Sequence, residues 1–131
     1  MIQFGRLLSF PLEYRHLENK VKDVKIDQLV AKRDINNDKI IVNASANGHP
    51  VVMVIFGNEI QASSEVMLSC GCQFFTYNLA YGLYKQGSLY SPESFVLRPP
   101  KSKNTSLILS GCKHIVKIAR ELYARKNQII I

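Results

Sequence analysis

Two short groups of metal-binding side chains constrain this chain more than any other feature of its sequence. Cys70-Gly71-Cys72 and Gly111-Cys112-Lys113-His114 contain every cysteine and one of the three histidines. Three thiolates and an imidazole are a known tetrahedral set for zinc, with bonds of about 2.3 Å to sulfur and about 2.0 to 2.1 Å to nitrogen. One ion bound by Cys70, Cys72, Cys112 and His114 would loop out the segment 73–111 between the two groups.

The cysteines are also compatible with two arrangements that need no zinc. Free cysteines are often simply buried as small apolar side chains, and iron-sulfur clusters use the same donors as zinc. An odd number of cysteines cannot all pair in disulfides. The paired spacing with matching glycines favours a metal over simple burial, with Zn²⁺ first and an iron-sulfur cluster as the alternative. Four protein ligands leave no position for a catalytic water, so we expect a structural site.

The spacing in the second group also predicts local structure. Residues two apart on an ideal helix point about 200° away from each other, so Cys112 and His114 cannot both face one ion from the middle of a helix. We therefore expect Cys112 in the turn before a helix and His114 in its first turn. A helix N-terminus also stabilises the thiolate that binds metal.

Two β-branched runs and a turn signal predict a β-hairpin. Residues 39–46 and 50–57 are separated by Asn47, Gly48 and His49, and Asn-Gly is the strongest short hairpin signal. A third short strand is predicted over 65–69. The segment 1–25, which mixes apolar and charged side chains around Pro11, is expected to form an N-terminal arm.

Two helices complete the predicted fold. Residues 73–86 contain no proline and are apolar nearly all round, which indicates a helix sandwiched between layers. After a long loop at 88–110 with three prolines, a second helix is predicted from 113 to 126, followed by a short extended tail. The order of elements indicates an α+β fold, a small antiparallel sheet with two helices around the metal site, in one domain spanning 26–131.

Composition narrows the class of protein. At 131 residues, 47% hydrophobic and 21% charged, the chain has the length and usage of a single globular domain. No apolar run reaches the 18 or so residues of a membrane span, and the start lacks a signal-peptide pattern, so no membrane partner is expected. No phosphate loop and no pairing of a nucleophile with a base is present, so no enzyme activity and no small-molecule substrate are predicted.

The excess positive charge is confined to the C-terminal quarter. Residues 98–131 carry eight basic side chains and one acid, Glu121, whereas residues 1–97 carry equal numbers of each. Such asymmetry indicates a polyanion, an acidic partner or simply a solvated helix face. The candidate contacts to an anion or partner are Arg98, Lys101, Lys103, Lys113, Lys117 and Arg120.

Both ends of the chain are apolar, which suggests that they are held by neighbouring chains. A terminal Ile-Ile-Ile strand could add to the sheet edge of a partner. The candidate docking residues are Phe4, Leu7, Leu8, Phe10, Ile129, Ile130 and Ile131.

The pattern Cys-x-Cys, a variable insert and Cys-x-His resembles the SWIM-type zinc finger over roughly residues 39–126. More closely, the combination of Cys70-Gly71-Cys72, Phe74-Phe75-Thr76-Tyr77, Arg98-Pro99-Pro100 and Gly111-Cys112-Lys113-His114 is similar to small virion proteins of tailed bacteriophages. The resemblance implies a hairpin leading into the first cysteine pair, a helix at the second group, and zinc on the four ligands.

The resemblance, together with the apolar ends, leads to a functional expectation. The chain is predicted to be a non-enzymatic, zinc-stabilised structural or adaptor protein of a phage particle, in the tail, baseplate or neck, located in the virion and bound to other virion proteins. The alternative is a SWIM-like DNA-binding or regulatory module that uses the basic C-terminal quarter. An oxidoreductase with an iron cluster is a more distant alternative.

Overall fold

A computed structural model describes residues 1–100, 107 and 109–131 of the chain. Its centre is a five-stranded sheet in which every neighbouring pair of strands is antiparallel, in the order β1-β5-β4-β3-β2. The strands are β1 (Ile2–Gln3), β2 (Ile26–Asp34), β3 (Lys39–Ala46), β4 (His49–Phe56) and β5 (Glu65–Cys70).

The predicted hairpin is confirmed and forms the middle of the sheet. Strands β3 and β4 pair in register from Lys39 opposite Phe56 to Ala46 opposite His49. Asn47 and Gly48 make the turn with φ of 49° and 78°, the left-handed conformations that a two-residue hairpin turn requires. The third predicted strand is confirmed as β5.

Strand β2 was not predicted, because residues 24–32 show no clean alternation. It pairs with β3 along its whole length and forms one edge of the sheet. Asp27, Gln28, Lys32 and Arg33 are exposed, while only Ala31 is fully buried. An edge strand with so few buried positions carries too weak a period-2 signal to be recognised.

In the described part of the chain, the five-stranded antiparallel sheet is combined with four helices, which makes the α+β prediction correct. The helices are α1 (Glu18–Val21), α2 (Ala80–Lys85), α3 (Lys113–Ala124) and α4 (Lys126–Ile129), and a π-helical stretch, Phe75–Leu79, leads directly into α2. Short 3₁₀ turns lie at Phe4–Leu7, Leu12–Leu17, Ile35–Asn37 and Pro92–Ser94. One core cluster joins the sheet to the helices, including Ile115, Ile118 and Leu122 of α3.

The helical segment 73–85 is not sandwiched between layers as the sequence suggested. Phe75, Leu79 and Leu83 are buried, but Tyr77 is 67% exposed and Tyr84 is 48% exposed. A tyrosine can leave its hydroxyl in water while its ring rests on the protein, so the aromatic residues of this segment divide between core and surface.

The segment 1–25 is part of the core and not a separate arm. Strand β1 pairs with β5, and the Phe4 and Gly5 N–H groups donate to the Ser64 and Ala62 carbonyls at 2.7 and 2.8 Å. The expectation that this end docks on a partner is wrong for its largest side chains, because Phe4 and Leu7 are fully buried within the chain's own core. Leu8 and Phe10 are partly buried against the same core.

The C-terminal end likewise folds back on its own chain. It was expected to be extended from 128, but α4 continues to Ile129, and only Ile130 bridges Ala31 in parallel at the β2 edge. The Ile131 N–H donates to the Ala31 carbonyl at 2.9 Å, and the Arg33 N–H donates to the Ile131 carbonyl at 2.8 Å. The tail thus adds to a sheet edge, but to the edge of its own sheet.

Among the described residues, no helix has both the length and the apolar character needed to cross a membrane.

Candidate metal centre

The four predicted ligands meet at one buried point of the fold. Cys70 ends β5, Cys72 precedes the helical segment 73–85, and Cys112 and His114 lie at the start of α3. Their donor atoms all lie within 4.8 Å of one another. The exposed fractions are 1%, 5%, 1% and 3% in chain order, so water is largely excluded from the group.

The distances fit a single tetrahedral ion. Bonds of about 2.3 Å to sulfur and about 2.0 to 2.1 Å to nitrogen place sulfur about 3.8 Å from sulfur and about 3.6 Å from nitrogen. His114 Nδ1 lies 3.8 Å from the Cys70 Sγ and 3.8 Å from the Cys112 Sγ. The Cys3His group could therefore hold a metal ion without rearrangement of the backbone.

Cys72 is placed by the first turn of its helix. Its carbonyl accepts from the Thr76 N–H at 3.1 Å and from the Thr76 Oγ1 at 3.1 Å. The Phe75 N–H donates to the Cys72 Sγ at 3.4 Å. A free N–H group at a helix start stabilises negative charge, so this contact favours the thiolate form of Cys72.

The start of α3 confirms the predicted division between turn and helix. Cys112 is the N-cap with extended backbone, φ −75° and ψ 174°, and its carbonyl accepts from the Val116 N–H at 2.9 Å. His114 lies in the first turn. Cys72 and Cys112 thus each lie at the start of a helix, a position that stabilises negative charge on a thiolate.

The two glycines permit close packing beside the ligands. A Cβ on Gly71 would lie 2.9 Å from the Pro50 Cδ, and a Cβ on Gly111 would lie 2.8 Å from the Ile115 Cγ2. Gly111 thus makes room for a side chain of α3, which lets the loop turn tightly into the helix.

The three cysteines shift one another's pKa values in different directions. Hydrogen bonds from the Cys112 and Cys70 thiols lower the pKa of Cys72. The Cys112 thiol also acts to lower the pKa of Cys70, but contact with the Cys72 sulfur and burial outweigh it and raise that pKa to about 12. Burial, followed by the two neighbouring sulfurs, raises the pKa of Cys112. The direction of these pKa shifts favours the thiolate form at Cys72 and the thiol form at Cys70 and Cys112. A bound cation would favour the thiolate form of all three.

His49 is a neighbour of the site that sequence reasoning missed. It is half-buried, and its ring centroid lies 4.9 Å from that of His114. The hairpin register contains the signal: Val51 pairs with Cys70, and His49 lies two residues before Val51 on the same face of β4.

One of the predicted basic contacts has partners within the fold. Arg120 is engaged within the fold, because its Nε donates to the Leu8 carbonyl at 2.9 Å and its two terminal nitrogens each lie 2.6 Å from Glu18 oxygens. Lys113 and Lys117 are half-buried on α3, and Arg98 is exposed. Lys101 and Lys103 lie outside the described residues.

Comparison of the chain with models of protein families, with curated proteins and with solved structures found no match.

Proposed function

We propose that the protein is a non-enzymatic structural module, stapled by one zinc ion, that joins larger subunits of an assembly. The observation that carries the proposal is the buried group of four protein donors at the distances of one tetrahedral ion. Four protein ligands around zinc leave no open position for a substrate or an activated water. Such a site stabilises a fold and performs no chemistry.

The four ligands lie on separate segments of the chain, so a metal bound to them would stabilise the folded state strongly. They come from the end of β5, the turn into the helical segment 73–85, and the start of α3. The segments that carry Cys72 and Cys112 are far apart in sequence, so one ion would close a long loop. Because such a site does not exist in the unfolded chain, the binding free energy of the ion becomes folding free energy.

Zinc is favoured over an iron-sulfur cluster by the compactness of the group. A cluster places several iron and sulfide atoms between its protein ligands, whereas all four donors here lie within 4.8 Å. That spacing suits one ion. The donor set of three thiolates and one imidazole is a structural zinc set.

The proposed setting is the particle of a tailed bacteriophage, in the tail, baseplate or neck. The support for it is the resemblance of the Cys-x-Cys, aromatic, Arg-Pro-Pro and Gly-Cys-Lys-His segments to small virion proteins. Because Phe4 and Leu7 are buried and the backbone of Ile130 and Ile131 pairs with β2, we expect contacts to other virion proteins to come mainly from other surfaces.

The experiment that tests this role is quantitative mass spectrometry of phage particles assembled during infection of cells that supply this chain. We expect the chain at a fixed copy number per particle, and less incorporation of Cys112→Ser. Ile35→Ala is the matched control, since Ile35 is 82% exposed on the β2–β3 connection. Absence of the wild-type chain from the particles would refute the proposed setting.

A DNA-binding module remains the second candidate, and one observation favours it. Arg98, Lys113 and Lys117 form no ion pair with any residue in the described part of the chain. Titration with duplex and single-stranded DNA at about 50 and about 200 mM salt tests this function, because phosphate contacts make binding strongly salt-dependent. No affinity at the lower salt concentration would exclude it.

A further inference from the structure

A large groove lies against the metal centre, since Cys70 and Gly71 are among its lining residues. Its volume is about 1060 Å³. Pro50, Val52 and Ser69 line its sheet side, the start of the helical segment 73–85 contributes Tyr77, and the segment 90–100 provides the opposite wall. Ligand pockets of proteins have volumes of about 300 to 1,000 Å³, so the volume of the groove is comparable to that of the larger ones.

The wall formed by the segment 90–100 is anchored to the sheet. The Leu68 N–H of β5 donates to the Ser88 carbonyl at 2.7 Å, and the Tyr90 N–H donates to the Leu68 carbonyl at 2.7 Å. The 3₁₀ turn Pro92–Ser94 follows, and Phe95 packs against Phe75 with ring centroids 5.8 Å apart. The groove is thus bordered by backbone that the fold holds in place.

The floor of the groove is shared with the metal centre. Cys70 and Gly71 line the groove, and the Gly71 N–H donates to the Pro50 carbonyl at 3.0 Å. The same turn carries the two sulfurs of the first ligand pair. Order in the metal centre therefore fixes one border of the groove.

The chemistry of the lining is aromatic and apolar, with one cation. Tyr77 is 67% exposed, Tyr90 is 37% exposed and Val96 is 71% exposed. Of the described residues that line the groove, only Arg98 carries a charge. The nearest acid in the sequence is Glu93, whose Oε1 accepts from the Ser91 hydroxyl at 2.6 Å. Tyrosine and arginine are the residues that dominate protein interfaces.

We propose that this groove binds an extended segment of a partner protein, with an aromatic or aliphatic side chain beside Tyr77 and Tyr90 and an Asp or Glu at Arg98. The inference rests on the proposed adaptor role, for which it supplies the docking surface. Arg98, the one charged side chain among the described residues that line the groove, matches one or two carboxylates. A nucleic acid needs several cations along its backbone.

The experiment selects binders from a displayed library of random linear dodecamers on the zinc-loaded protein and measures the affinity of the recovered peptides by fluorescence polarisation. We expect peptides that combine an aromatic or aliphatic residue with Asp or Glu. Their Kd should rise at least about tenfold in Tyr77→Ala and in Arg98→Glu. Tyr84→Ala and Lys117→Ala are matched controls outside the groove and should leave the Kd unchanged.

Three results would overturn the inference: recovery of no peptide, recovery of lysine-rich peptides, or affinities that do not depend on Tyr77 and Arg98. Binding of labelled (dT)₁₂ that depends on both residues would assign the groove to nucleic acid. Incorporation of the double variant Tyr77→Ala/Arg98→Glu into particles keeps the two proposals apart. If the variant is incorporated normally, the proposed binding by the groove is wrong and the adaptor role is unaffected. If the wild-type chain is not incorporated either, the adaptor role is wrong.

Discussion

The two ends of α3 are stabilised by different kinds of interaction. At the start of α3, four side chains within 4.8 Å of one another form a site for a metal. Near its other end, the Phe4 ring stacks on Tyr123. There the apolar residues of the N-terminal segment, among them Phe4, Leu7 and Leu17, spread their contacts through the core. The first arrangement concentrates stability in four donors, and the second distributes it over many side chains. The concentrated arrangement is therefore visible in the sequence, whereas the distributed one is not.

Removal of the metal should have the largest effect. Structural zinc contributes about 10 to 16 kcal/mol of apparent binding free energy in small domains at pH 7, more than the net stability of most domains. We expect a chelator to unfold the chain or to detach α3. Circular dichroism would measure the unfolding, and amide hydrogen exchange would measure the detachment of α3. Restored structure after zinc is added back is the control. A melting temperature that does not change with chelator would contradict this expectation.

Truncation of the N-terminal core should have a smaller effect, and one independent of the metal. Phe4 is fully buried and its ring stacks on Tyr123 with centroids 5.9 Å apart. Phe4→Ala should lower the free energy of unfolding by about 3 to 5 kcal/mol, measured by urea denaturation. The exposed Ile35→Ala is the control and should change it by at most about 0.5 kcal/mol. Loss of bound zinc from folded Phe4→Ala would show that the two ends are not independent.

A methyl group added beside the metal centre should act on both stability and metal affinity. The Cβ of Gly111→Ala would lie 2.8 Å from the Ile115 Cγ2, so the start of α3 must shift, at a cost of about 1 to 3 kcal/mol. Gly5→Ala is the matched change at the other end, where the Cβ would meet the Ala62 carbonyl oxygen at 3.1 Å. Competition with a zinc indicator should show weaker binding in Gly111→Ala only. Equal zinc affinities in the two variants would be evidence against separate stabilisation of the two ends.

The smallest effect is expected at the ion pair between the N-terminal end and α3. The hydrogen bond from Arg120 lowers the pKa of Glu18, with burial acting in the opposite direction. A lowered pKa stabilises the fold above the ordinary glutamate value of 4.5, and this contribution is lost as the pH falls through the lowered value. Because both side chains are partly exposed, Glu18→Gln should cost about 0.2 to 1 kcal/mol at pH 7.

The measurement is the difference in unfolding free energy between wild type and Glu18→Gln at several pH values. Any metal that is lost as the thiolates are protonated is lost from both proteins alike. The difference between their unfolding free energies therefore reports on the ion pair alone. It should shrink below pH 4.5. A difference that persists to strongly acidic pH, where the carboxylate is protonated, would mean that its charge is not what matters.

Local chemistry explains what could be predicted from the sequence. Asn47-Gly48 determines a hairpin, and the hairpin register then determines β3 and β4. The donors at 70, 72, 112 and 114 are recognisable by residue type and spacing, and the direction of side chains around a helix placed Cys112 before the first turn of α3. In each case the information lies within a few neighbouring residues.

The remaining features depend on contacts between distant parts of the chain. The role of Phe4 and the edge strand β2 depend on which segment closes each side of the sheet. The division of the aromatic side chains between core and surface depends on which face of the segment 73–85 meets β5. Arg120 was predicted to contact an external anion because its partners, Glu18 and the Leu8 carbonyl, lie 102 and 112 residues earlier in the chain.

The most direct test of the metal centre is the metal content of the purified protein. Native mass spectrometry together with elemental analysis should find one zinc per folded chain, and none in Cys112→Ser. Two or more iron atoms per chain in place of zinc would contradict the single-ion site and support a cluster. A chain that folds fully with no metal would contradict a structural metal site, because the four buried donors would then be held together by packing alone.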